Sequence, residues 1–176
     1  MLAPVFLICF SCQAGDSMKQ GIASDSLENR AGAERGRADP EVLAFLGPEI
    51  LSVIEKADRM ETYRIGRNRS PSGTGQEIQG YPVIEQGLDL KGKGMSPVKK
   101  MLYSASAYEF QWSKRTRIRP SYALRVIQNN KHVDIAIDFN SRQWEFSLGD
   151  MHREEDISKQ AAASLNEIMN QAFGSR

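Results

Sequence analysis

Three arginines at alternate positions, Arg115, Arg117 and Arg119, share one face of the chain wherever that segment is extended. Trp112 stands just before them. A guanidinium presents a planar fork of donors that fits a phosphate or carboxylate, and an adjacent indole offers a stacking surface. The composition around them strengthens this chemistry. Between Lys91 and Lys131 ten residues are Lys or Arg, and Glu109 is the single acid. The expected occupant of such a face is an anionic ligand or an acidic protein partner: a lipid head group, a cell-wall polymer or an acidic surface. A second reading is a solvated edge strand kept from aggregating by its own charge.

The chain's two histidines suggest different chemistry. His132, Asp134 and Asp138 lie on the polar side of one alternating segment, an arrangement that could orient an imidazole for proton transfer in a small enzyme. No nucleophile is recognisable beside them, and an ion pair between an aspartate and Arg125 on a neighbouring strand accounts for the carboxylates more simply. Asp150, His152, Glu154, Glu155 and Asp156 form the densest group of potential metal ligands, but their spacing follows no ligand pattern. They read as the acidic first turn of a helix. Gly92-Lys93-Gly94-Met95-Ser96 lacks the spacing of a phosphate loop. Neither a metal nor a cofactor is therefore expected. Asn68-Arg69-Ser70 fits a glycosylation sequon, which matters only in a eukaryotic secretory route.

The N-terminus points to an address. Met1 to Phe10 is an uncharged apolar run that breaks at Ser11-Cys12-Gln13-Ala14, too short to span a bilayer. Residues 1–11 read as a lipoprotein-type signal peptide with cleavage before Cys12 and lipid on its sulfur. A cut after Ala14, releasing a soluble secreted protein, is the alternative. The expected location is the cell envelope, on the periplasmic side of a membrane held through Cys12. The two cysteines, Cys9 and Cys12, both fall in this leader. Disulfides, thiol nucleophiles and zinc ribbons are therefore excluded beyond it. With 23 Lys and Arg against 22 Asp and Glu, the charge is balanced, and nucleic acid is not an expected partner.

These residues need a framework. Residues 13–38 hold no aromatic side chain and read as a disordered tether. Residues 39–176 read as a single α+β domain. Asp39-Pro40 opens a helical stretch interrupted at Gly47-Pro48 and continued by Ile50, Leu51 and Ile54. Glu61 to Arg67 is a predicted strand, residues 66–80 a loop, and Tyr81 to Ile84 a second strand. Ser96-Pro97 starts a helix through about Ser104. Tyr122 to Gln128, His132 to Phe139 and Gln143 to Leu148 then form an antiparallel three-stranded meander. In it Val133, Ile135, Ile137 and Phe139 face inward. An amphipathic helix over Glu154 to Phe173 closes the chain. Strands grouped together with helices to either side give an antiparallel sheet packed on helices.

Three segments carry a resemblance: the ADRMETYRI stretch from Ala57, GYPVIEQGLDL, and RPSYALRVIQNNKHVDIAIDF. In their order the chain resembles an uncharacterised family of small bacterial exported proteins, many of them lipoproteins. The resemblance covers about two thirds of the chain and implies export and an α+β fold. Relatives often carry a cysteine before the proline of the RP-type segment and a pair of them around the end of the next strand. Here those places hold Thr116, Asp138 and Ser141, so no thiol or metal role carries over. The family has no established activity to lend.

Overall fold

The computed structural model describes residues 37–70, 75–111 and 116–174. The signal peptide, Cys12 and nearly all of the tether lie outside the described residues, as do Trp112 and Arg115. What is described is an α+β fold, with three α-helices and one antiparallel sheet.

Helix α1 (Pro40–Glu55) contains the interruption that Gly47-Pro48 leads one to expect. Gly47 takes φ +78, a left-handed conformation that a side chain disfavours, and Pro48 restarts the helix as a new first turn. Asp39 precedes the helix without capping it. Its carboxylate accepts instead from the Ala105 N–H at 2.7 Å, tying the start of α1 to the end of α2 (Ser96–Tyr103). Helix α3 (Lys159–Ala172) has a conventional start, with the Ser158 hydroxyl accepting from the Ala161 N–H.

The strands are β1 (Arg59–Ile65), β2 (Glu77–Ile78), β3 (Tyr81–Gln86), β4 (Leu90–Lys91), β5 (Tyr122–Gln128), β6 (Lys131–Asp138), β7 (Gln143–Leu148) and β8 (Met151–Asp156). Their order is β2-β3-β1-β5-β6-β7-β8, with β4 pairing β1 beside that path. The meander thus has one strand more than expected. Glu154, Glu155 and Asp156, expected above as the acidic first turn of the last helix, belong instead to β8, paired along its length with β7, and the helix begins only at Lys159. The Gly149-Asp150 turn that joins them uses φ +56 at Gly149. The loop assigned to residues 66–80 also contains β2, which turns into β3 through Gln79 and Gly80, both at positive φ, as a type I′ hairpin requires.

The sheet is curled and buried on both faces. One face packs on the helices through Leu124, Val126, Val133, Ile135, Trp144 and Phe146. The other face is not the solvated one that alternation in β6 suggests, because Asp134, Ala136 and Asp138 are all buried. There the β2–β3 hairpin folds over the sheet, setting Ile78 and Tyr81 against Tyr63, Ile65, Ala123 and Ala136. Ala123 and Ala136 are direct cross-strand partners, and their small side chains leave the space the hairpin fills. A register shift between Arg64 and Ile65, where β1 meets β3, supplies the bend.

Candidate functional site

The hairpin covers part of this second face, over Tyr63, Ala123 and Ala136, and the positions beside it are mostly polar. Register places Glu61, Arg125, Asp134, Ser147 and His152 in one row across β1, β5, β6, β7 and β8. The next row runs Tyr63, Ala123, Ala136, Glu145 and Glu154. The first row alternates acid and base at its start. Arg125 donates to both oxygens of Asp134, at 2.7 and 2.9 Å, as the ion-pair reading of Asp134 expects. In the second row the Tyr63 hydroxyl donates to Glu61 at 2.6 Å. Burial first, and that hydrogen bond second, push its pKa up to about 12.

Where the two rows meet the hairpin edge, a cavity of about 450 Å³ opens. Glu145 lies at its base, only 1% exposed, on β7 between the core residues Trp144 and Phe146. One oxygen of Glu145 accepts from Arg69 Nη2 at 2.8 Å and lies 2.9 Å from His152 Nε2. Its other oxygen is buried without a hydrogen-bond partner among the described residues. Arg69 is held over the Tyr81 ring, 5.2 Å from its centroid, while its loop is pinned by Ser70 N–H donating to Gly80 O. Gln79 at the hairpin tip fastens the assembly, its amide donating to the backbone oxygens of Asp134 and Glu145 at 2.8 and 3.0 Å.

The opposite wall is formed by Thr116, Arg117 and Ile118. Ile118 is buried, whereas Arg117 is exposed and its guanidinium has no partner among the described residues. Glu154 completes the rim. Gln143 donates to its Oε1 at 3.4 Å, and Gln143 in turn accepts from the Thr116 hydroxyl. The pKa of Glu154 is raised, chiefly by burial and then by the neighbouring charge of Glu145.

The residues singled out in the sequence are thus dispersed. Arg117 lines the cavity, but Arg119 does not. Arg119 is exposed beside it, with its backbone N–H donating to Asp138. Residues 116–120 belong to no strand or helix of the fold. His132 borders a different, larger depression of about 870 Å³ between α1 and the sheet's end. Its Nε2 is 3.8 Å from an Asp134 oxygen that Arg125 already engages, so no hydrogen bond orients the imidazole. Asp138 is occupied by the backbone N–H groups of Arg119, Asn140 and Ser141. Arg69, Tyr81 and Glu145 were not singled out in the sequence. His152 and Glu154 were, but as part of a helix start. In the strand they actually occupy, alternation turns His152, Glu154 and Asp156 to one face.

Among the described residues, no group of three His, Cys, Asp or Glu is placed to hold a metal ion, and no helix is long and apolar enough to cross a membrane. No protein-family model matches this chain, and no match is found among curated proteins or solved structures.

Proposed function

We propose that this is an exported, lipid-anchored protein of the cell envelope that binds an anionic group without transforming it, through Arg117 and the cavity beside it. The observation that carries the reading is Arg117 itself. It is an exposed guanidinium on a cavity wall, with no intramolecular partner among the described residues, facing a pocket that also holds Arg69 and His152. Arg69 is balanced by Glu145, so the positive charge left to a ligand belongs to Arg117. Arginine suits this task because its fork meets two oxygens of a phosphate or carboxylate at once. Export rests on the apolar leader and Cys12, and on the resemblance to exported bacterial proteins.

Two measurements test this reading. The intact mass of the mature product from a bacterial host should begin at Cys12 with acyl chains attached, and an unprocessed Met1 product would remove the envelope address. Calorimetric titration with glycerol phosphate should give saturable binding that Arg117→Ala weakens about tenfold, the scale of one charge-assisted pair. Unchanged binding in that variant would sink the assignment. A small envelope enzyme is the second reading. Its original candidates were His132, Asp134 and Asp138, but the observation that favours it is the 2.9 Å contact of His152 with the buried carboxylate of Glu145.

A further inference from the structure

The cavity carries charges of both signs that do not neutralise each other. Arg117 and Glu154 line the same 450 Å³ space, yet no ion pair joins them, and neither has an ion-pair partner elsewhere among the described residues. Glu154 receives one long hydrogen bond, from Gln143 at 3.4 Å, which leaves most of its accepting capacity open. Behind it the charge of Glu145 is met by Arg69, but its second oxygen is unsatisfied at the base of the cavity. Two opposite charges held apart in one pocket complement a ligand whose own charges are held apart. A simple anion would satisfy Arg117 but meet repulsion from Glu154. A donor-bearing cation on the same ligand converts that repulsion into attraction. The raised pKa of Glu154 fits this picture, since burial and then the charge of Glu145 outweigh the opposing influence of His152.

We infer that the ligand is a small zwitterion, with a phosphate or carboxylate for Arg117 and a primary ammonium for Glu154. A lipid head group of the phosphoethanolamine type and a free soluble zwitterion share this chemistry. The volume, near the lower end of that of ordinary ligand sites, suits a molecule of that size. The inference rests on the anion-binding reading above, and the test separates the two.

The full-length protein would be titrated calorimetrically with phosphoethanolamine, glycerol phosphate and ethanolamine. Phosphoethanolamine should bind about tenfold more tightly than glycerol phosphate, the scale of one charge-assisted pair, and ethanolamine alone should bind weakly. Glu154→Gln, an exposed substitution, should abolish the preference and strengthen glycerol phosphate binding. Arg117→Ala should weaken both phosphates. Equal affinity for the two phosphates in the native chain, with Arg117→Ala still weakening both, would overturn the zwitterion and leave the anion reading standing. Binding indifferent to Arg117, or no binding of any probe at millimolar concentration, would overturn both. Displacement of phosphoethanolamine by vesicles containing phosphatidylethanolamine would support the class with a lipid source. Free binding without displacement would support it with a soluble one.

Discussion

Asp134 shows how much a single residue on the polar face is asked to do. It is a buried carboxylate whose charge is balanced by Arg125 through two short hydrogen bonds. Removing one partner of such a pair leaves an uncompensated charge, while replacing both with apolar groups restores a neutral interior. Asp134→Ala should therefore cost about 3 kcal/mol in urea denaturation, and the double variant Asp134→Leu with Arg125→Met should recover much of it. Glu154 makes the opposite case. Its folded-state pKa lies above its ordinary value, so protonation favours the folded state and that contribution is lost as pH rises through the raised value. At neutral pH the ionised side chain is a liability. Glu154→Gln should raise the denaturation midpoint at pH 7 and leave it nearly unchanged in acid below the ordinary carboxyl range, where Glu154 is protonated folded or unfolded. A gain that persisted in acid would mean that charge is not the cause.

The joints between elements are as informative as the elements. Gly87, just past β3, lies where α3 ends against the sheet. A Cβ there would stand 2.6 Å from Thr62 Oγ1, 2.9 Å from the Phe173 ring and 3.0 Å from Ala172 O. The same joint holds Arg64 over Phe173, 4.6 Å from the ring centroid, and Leu88 N–H donating to Ala172 O. Gly87→Val should destabilise by about 2–3 kcal/mol, and hydrogen exchange should localise the loss to the last turn of α3. Most elements were legible in the sequence because their apolar residues keep a period, as Val133, Ile135 and Ile137 do in β6. Strand β8 was not, since Met151 is its one apolar residue and its carboxylates suit a helix start equally well. A turn signal was nevertheless present. Gly149-Asp150 between Leu148 and Met151 closes a two-residue hairpin, and counting outward from it sets His152 opposite Ser147 and Glu154 opposite Glu145. Half of the candidate site could have been found that way. Arg69 could not, because it comes from a Gly/Ser-rich stretch whose position is set by tertiary contacts with Gly80, Tyr81 and Glu145.

For the molecule as a whole, the decisive feature is where β1 sits. Strands β5 to β8 are joined in succession by short turns, and each pairs with the next. Strand β1 instead lies between β3 and β5, bound to a partner much later in the chain. Contacts between sequence neighbours close small loops at little entropic cost, whereas β1 must close a long one. This implies an order of assembly, with the meander forming first and β1 docking onto β5 afterwards, bringing β3 and its hairpin with it. Rates of folding can check the order: Ile135→Val in β6 should slow folding itself, and Met60→Ala in β1 should mainly speed unfolding. The cavity spans both stages, with Glu145 and His152 on the early side and Arg69 and Tyr81 on the late one. A refolding chain would therefore carry the carboxylate–imidazole pair before the arginine that joins it, and the complete cavity would be the last structure the protein acquires.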